Sequence, residues 1–122
     1  MNRFEIWNIR QQASSCSSEP PQPADSSKAD RPYIIVSPDA VNRVTAYPFV
    51  TVIPLQDRKQ RKKYPTDVWI SPSGANSLKK ESIAFCQLIY TIEKSFLEFR
   101  IGMLESVYQE EITAALRRFL VL

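Results

Sequence analysis

The segment of this sequence with clear helical periodicity is the last one. Apolar side chains recur there at three- and four-residue spacing, which predicts an amphipathic helix with one face on a core. Ser106 and Gln109 have the spacing of a capping box, in which both side chains bond first-turn amides. Glutamates near the start of the segment, and Arg117 and Arg118 near its end, suit the helix dipole. The predicted core-facing stripe consists of Tyr108, Ile112, Ala115, Leu116 and Phe119.

The rest of the chain consists of short apolar runs that turn-forming residues interrupt. Runs rich in β-branched and aromatic residues predict strands, and the longest apolar run predicts the central one, at residues 82–91. Pro54 indicates an edge strand or a bulge, because proline cannot donate to a ladder. Gly102 indicates a bulge or a close backbone approach. The predicted strands are 4–9, 33–37, 49–55, 66–71, 82–91 and 99–104.

Five or six short strands closed by one helix predict an α+β fold, a small and strongly bent sheet or barrel with a C-terminal helix. A chain of 122 residues has the length of a single domain, here 1–122. Residues 10–30 contain six serines and three prolines but few apolar groups. Such a segment cannot bury enough surface to offset its ordering entropy, so we predict a long mobile loop at 10–30.

The composition argues against several classes of protein. The chain has no histidine, and its two cysteines, Cys16 and Cys86, form no metal-binding pattern and no disulfide framework. No run approaches the roughly 20 apolar residues that span a bilayer, and the first residues do not resemble a signal peptide. We therefore expect a cytoplasmic protein with free thiols and no metal site.

The positive charge of the chain is concentrated in one short segment. The net charge is +3, and residues 58–63 carry five of the 16 basic residues. One interpretation is a solvated loop. The other is an arm that tracks phosphates, because clustered Lys and Arg gain affinity for nucleic acid by counterion release. Tyr64 follows the segment directly and could stack on an unpaired base.

Arg31 precedes Pro32 at the mouth of a predicted strand. It is either a loop anchor paired with Asp30 or a cation aimed at a negatively charged substrate. Proline restricts the residue before it to extended conformations, which would fix the direction of the Arg31 side chain. The residues alone leave both interpretations open.

Several motifs together resemble the MazF/PemK family of bacterial toxins. They occur in the order typical of that family, and the closing amphipathic helix follows them. The matching residues are Glu5–Trp7, Arg31–Ser37, Asn42, Val52–Pro54, Leu78–Ser82, Thr91–Lys94 and Ile101–Leu104. The resemblance implies an SH3-like barrel of the CcdB/PemK type, a homodimer and a small acidic antitoxin as partner. It also implies cleavage of single-stranded RNA at short sequences, without metal or cofactor, through attack of a ribose 2′-OH.

The resemblance further implies roles for individual residues. Arg31 takes the place of the catalytic arginine, whose guanidinium would stabilise negative charge on a pentacoordinate phosphate. Gln56 stands where the family usually has a Thr or Ser, and glutamine cannot shuttle a proton. Asp57 is then a candidate base, and Tyr90 or Tyr64 a candidate acid. The residues assigned to RNA binding are Arg58, Lys59, Arg61, Lys62, Lys63, Tyr64, Lys79 and Lys80.

A second hypothesis comes from a different functional class. The same scaffold could serve a binding toxin, either one that has lost its chemistry or one that targets DNA gyrase as CcdB does. The absence of tryptophan in the last residues, together with Arg31-Pro32, favours the ribonuclease. For the homodimer, we expect the terminal helix and the strands around Phe85 and Ile89 to supply part of the interface.

Overall fold

The computed structural model describes residues 1–10, 32–57 and 63–122. The predicted fold class is confirmed: an antiparallel sheet is followed by a C-terminal helix. The sheet has seven described strands, not five or six. The elements are β1 (Glu5–Ile9), β2 (Pro32–Ile35), α1 (Asp39–Asn42), β3 (Phe49–Asp57), β4 (Asp67–Ile70), β5 (Ser82–Phe85), β6 (Tyr90–Glu93), β7 (Leu97–Met103) and α2 (Ser106–Leu120).

The loop predicted at 10–30 lies outside the described residues, apart from its first residue. Arg10 is anchored there, since its backbone N–H donates to the Phe96 carbonyl at 2.8 Å. Its guanidinium also donates to the carbonyl of Ser95.

The long strand β3 organises the sheet. The strand order is β4-β5-β3-β2-β1-β7, and β6 pairs with the first half of β3. On the same edge of β3, the last three residues of the strand pair with β5 and no longer with β6. A strand shared by two ladders in this way gives a bent sheet, as the sequence predicts.

Two predictions about this region are wrong. The run 82–91 is not one central strand, because a turn at residues 86–89 divides it into β5 and β6, and the Leu88 N–H donates to the Phe85 carbonyl. Pro54 lies neither in an edge strand nor at a bulge, because β3 is inside the sheet and its register with β2 is regular, with Pro54 opposite Tyr33. It falls between the residues that pair with β6 and those that pair with β5, where β3 has no partner on that side.

Gly102 confirms both features that the sequence predicts for it. The register between β1 and β7 shifts there, from Ile6 opposite Gly102 to Trp7 opposite Arg100, which is a bulge. The backbone also approaches another segment closely, since a Cβ atom at Gly102 would lie 2.5 Å from the Asn76 carbonyl oxygen. Glycine is required here by space, not by a left-handed backbone.

Helix α2 forms where predicted, but the capping box is wrong. Glu105 is the N-cap residue, and its side chain makes no capping bond. Ser106 is already inside the helix, and the Gln109 side chain instead donates to the Leu104 carbonyl at 2.7 Å. The Glu105 carboxylate accepts a hydrogen bond from the Asn76 amide at 3.0 Å, which anchors the start of the helix to the loop after β4.

The main core lies between the sheet and α2. Ile112 and Ala115 are buried, and Tyr108 and Leu116 pack beside them, as the helical stripe predicts. Phe119 is 45% exposed, so its place in that stripe is wrong. Phe85 is buried in the monomer and offers little surface to a partner. Among the described residues, no helix is long and apolar enough to cross a membrane.

Candidate functional site

The end of β3 carries two of the predicted catalytic residues, Gln56 and Asp57, whose side chains leave opposite faces of the strand. Leu55 is buried, whereas the next residue, Gln56, is exposed, because successive side chains of a strand point to opposite faces. Asp57 ends the strand opposite Ser82 of β5. The carboxamide of Gln56 and the carboxylate of Asp57 are therefore the last two side chains of β3.

Asp57 has a cationic neighbour from the loop before β5. The Lys80 ammonium lies 3.6 Å from the Asp57 carboxylate, and these side chains are 72% and 41% exposed. A pair so accessible to water contributes at most about 1 kcal/mol to stability. Either side chain can therefore leave the ion pair and bind a ligand at a small cost in stability. Lys79, also predicted to bind RNA, is exposed beside Lys80.

Tyr90 does not lie beside Gln56. It is paired with Val52, four residues earlier in β3, and is 45% exposed. Four residues of rise and one strand spacing place its backbone about 14 Å from that of Gln56. The structure thus places Asp57 beside Lys80, with Gln56 on the other face of the strand and Tyr90 at a different point of the sheet.

Several predicted residues lie outside the described part of the chain. They include the candidate catalytic cation Arg31 and the basic residues Arg58, Lys59, Arg61 and Lys62. Pro32, the residue after Arg31, begins β2 and is paired with Asn8.

Lys63 and Tyr64 lie at a cavity that the sequence did not predict. The Tyr64 side chain is 58% exposed, and the Lys63 ammonium lies 5.7 Å from the centre of the Trp69 ring. A tight turn links Tyr64 to Asp67, because each backbone N–H is bonded to the other residue, at 3.0 Å and 2.9 Å. The cavity between this turn and α2 has a volume of about 460 Å³.

Comparison with known proteins identifies the family. Residues 2–120 match the PemK-like, MazF-like toxins of type II toxin-antitoxin systems. The chain is a member of the PemK/MazF toxin family. No curated protein sequence matches it.

Solved structures share the fold of this toxin. An endoribonuclease in complex with its cognate antitoxin, from a mycobacterial species, has a TM-score of 0.71 at 22% identity and aligns over 100% of this chain and 96% of that one. The Mycobacterium tuberculosis toxin MazF-mt6 has a TM-score of 0.70 at 19% identity, over 97% of both chains. MazF from Deinococcus radiodurans has a TM-score of 0.69 at 16% identity, over 100% of this chain and 97% of that one. These similarities confirm the predicted MazF-type fold.

In this toxin the thiol of Cys86 is unreactive. Cys86 is fully buried beneath the sheet. Burial, and secondarily the nearby charge of Asp67, raise the pKa of the Cys86 thiol to about 12. Since the thiolate is the nucleophilic form, Cys86 takes no part in chemistry at neutral pH.

Proposed function

We propose that this toxin is an endoribonuclease that cleaves single-stranded RNA at short sequences, without a metal ion, and that a cognate antitoxin neutralises it. The observation that carries the proposal is the match of residues 2–120 to the PemK/MazF toxins. Structural neighbours named as endoribonucleases, one of them bound to its antitoxin, support it. The match also favours this function over a gyrase-binding or non-catalytic toxin of the CcdB type.

The proposed reaction is an intramolecular transesterification, in which the phosphorus exchanges its bond to the 5′-oxygen for a bond to the 2′-oxygen. A base removes the proton of a ribose 2′-OH, and the 2′-oxygen attacks the adjacent phosphorus. The bond from phosphorus to the 5′-oxygen breaks, and an acid protonates that oxygen. The products are a 2′,3′-cyclic phosphate and a free 5′-OH, so no water or cofactor is consumed.

Arg31 would supply the positive charge that this transition state requires. Charge accumulates on the non-bridging oxygens as the 2′-oxygen attacks, and a guanidinium offers paired donors that stay charged throughout. Gln56 would hold one of those oxygens through its amide N–H groups. This division of work assigns binding to Gln56 and leaves proton transfer to other groups.

Asp57 is the best placed described residue for the general base. It ends β3 and is partly exposed, so a 2′-OH held against the end of the strand could reach it. Lys80 lies 3.6 Å away and can shift to a phosphate when RNA displaces it from Asp57. Tyr90, whose backbone is about 14 Å from that of Gln56, is the weaker candidate for the acid.

The RNA strand would follow the cationic side of this region. Lys79 and Lys80 flank the end of β3, and the segment 58–63 leads from β3 to Tyr64. We propose that these residues bind phosphates and that Tyr64 stacks on a base. The active species is proposed to be a cytoplasmic homodimer.

Substitution of Arg31 tests whether this residue acts on the cleavage rate more than on the affinity for RNA. We expect Arg31→Ala to lower the cleavage rate by about 10²- to 10³-fold and to weaken RNA binding far less, because the arginine acts mainly on transition-state charge. Arg117→Ala, an exposed arginine of α2, is the matched control and should cleave normally. Rates are measured on a labelled single-stranded RNA in EDTA, and affinities on the same RNA by anisotropy.

Gln56→Thr tests the departure from the family in the same assay. Restoring a hydroxyl should raise the cleavage rate if the rest of the site is competent. Loss of activity in Arg31→Ala without a gain in Gln56→Thr would place the hydroxyl's role on Asp57 or Tyr90. If neither substitution changes cleavage, the proposed catalytic site is wrong.

A further inference from the structure

The cavity between the 63–68 segment and α2, here called the α2 cavity, has the features of a binding site. Its volume of about 460 Å³ falls in the usual range for small-ligand pockets. One wall comes from the turn before β4 and the other from successive turns of α2. The lining residues are Lys63, Tyr64, Pro65, Asp67, Val68, Glu111, Ala114, Ala115 and Arg118.

Asp67 is the unusual member of this lining. Its side chain belongs to a residue only 3% exposed, and one carboxylate oxygen, Oδ2, accepts the Tyr64 N–H at 3.0 Å. The other oxygen, Oδ1, is buried and has no hydrogen-bond partner among the residues that the structure describes. A buried acceptor left without a donor costs about 1–3 kcal/mol, and more when it is charged. A ligand that donates a hydrogen bond would remove that cost.

The remaining groups of the α2 cavity suit a nucleotide. Tyr64 presents a largely exposed ring at the mouth, which can stack on a base. Lys63 and Arg118 add positive charge at the rim, where a phosphate can bind. Arg118 also donates to the Pro65 carbonyl at 2.7 Å, which holds the turn against α2.

We propose that the α2 cavity binds one nucleobase of the RNA substrate, a base that carries an exocyclic amino group. This inference rests on the proposed function and deepens it. The amino group donates to the carboxylate of Asp67, which is how acidic side chains recognise such groups on bases.

The chemistry of Asp67 ranks the four bases. Guanine presents two adjacent donors, its ring N–H and its amino group, and should bind most tightly. Adenine and cytosine present one amino group and should bind less tightly. Uracil flanks its single N–H with two carbonyl oxygens, which the carboxylate repels, so it should bind least.

A cationic protein side chain is the competing occupant. Asp67 and Glu111 would attract it, whereas Lys63 and Arg118 would repel it, so the charges of the lining alone do not decide between the two occupants. A nucleotide uses both kinds of group, Asp67 for its amino group and the two cations for its phosphate, and this favours the nucleotide.

The α2 cavity lies apart from the proposed catalytic site. Asp67 is paired with Phe85 at one end of β5, whereas Asp57 is paired with Ser82 at the other. Strand spacing and rise place the two backbones about 14 Å apart, and because Phe85 and Ser82 are three residues apart, the two side chains leave opposite faces of the sheet. A base held at Asp67 would therefore belong to a nucleotide outside the cleaved step.

Titration with mononucleotides tests the proposal without requiring cleavage. The full-length protein is titrated with GMP, AMP, CMP and UMP, and the backbone amide shifts of Ala114 and Ala115 are followed by NMR. We expect GMP to bind at least tenfold more tightly than UMP. Asp67→Asn should abolish this preference, whereas Tyr64→Ala should weaken all four nucleotides and preserve their order. Glu110→Gln, an exposed change on α2 outside the cavity, is the matched control.

Three outcomes would overturn the proposal. The first is equal affinity for GMP and UMP, and the second is shifts that map away from the α2 cavity. The third is tighter binding of N-acetyl-argininamide than of GMP, which would assign the cavity to a cationic peptide side chain. Because Tyr64 is exposed, Tyr64→Ala keeps the test decisive if Asp67→Asn fails to fold. RNA cleavage is assayed separately, so nucleotide binding without cleavage would reject only the proposed ribonuclease.

Discussion

At the scale of single residues, Gly102 shows how one position ties two parts of the fold together. It lies at the bulge of β7 and faces the backbone of residues 75 and 76, where any side chain would collide. Asn76 is fully buried there: its amide group donates to Ser71 and Glu105 and accepts from two backbone N–H groups. The contact therefore links β7, the loop after β4 and the start of α2.

Substitution of the two glycines of the chain gives opposite predictions. We expect Gly102→Ala to lower the free energy of unfolding by about 1–3 kcal/mol, because the new Cβ atom forces backbone apart. Gly74→Ala is the matched control, because a Cβ atom there meets nothing within 4 Å. Its effect should stay within about 0.5 kcal/mol. Urea denaturation measures both, and equal destabilisation would contradict the close approach at Gly102.

At the scale of the elements, local sequence patterns predicted those features that depend only on residues close together in the sequence. Helix α2 and the strands follow from periodicity and from turn-forming residues. The division of 82–91 into β5 and β6 could not be predicted in this way, because an apolar run has the same appearance whether or not a turn interrupts it. The capping box failed because Gln109 bonds a carbonyl and Glu105 is engaged by Asn76, a contact distant in sequence.

The candidate site was predictable only in part, for a related reason. The family resemblance pointed to Gln56 and Asp57, whose backbones are adjacent in any fold, although their side chains leave opposite faces of β3. The distance of Tyr90 from them depends on which residues of β3 face β6, and this is a property of the whole sheet. Asp67 had no sequence signal, because its importance comes from burial beside α2.

The basic segment 58–63 is the element whose charge has a clear experimental signature. We expect replacement of its five Lys and Arg residues by Gln to weaken RNA binding uniformly across sequences. The log–log dependence of affinity on salt should flatten by roughly 0.7 for each phosphate contact removed. Filter binding from low to high salt measures the slope, with Arg117→Gln as control. An unchanged slope would contradict phosphate binding by the segment and favour its interpretation as a solvated loop.

At the scale of the whole molecule, much apolar surface remains outside the described core. Tyr47 and Phe49 are in edge contact and more than 40% exposed, and Phe99 is 51% exposed on β7. The last residues of α2 and those after it are exposed as well. Surface of this kind is usual where protein chains meet.

We therefore expect a homodimer in solution. Light scattering coupled to size exclusion should give twice the 14.0 kDa mass of one chain at micromolar concentration. Phe49→Glu should shift the species toward the monomer if the Tyr47–Phe49 patch is covered by the partner, and Phe119→Glu should do so if the end of α2 is. A single species of one chain's mass in the wild-type protein would contradict the prediction.

The measurement that most directly tests the account compares RNA with DNA of the same sequence. Purified toxin is incubated in EDTA with a long single-stranded RNA and, separately, with the matching single-stranded DNA. Attack by a 2′-OH predicts discrete RNA fragments ending in a 2′,3′-cyclic phosphate and beginning with a 5′-OH, and no cleavage of DNA. Intact RNA, or cleavage of both strands alike, would contradict the central claim that this toxin is a ribonuclease acting through the 2′-OH.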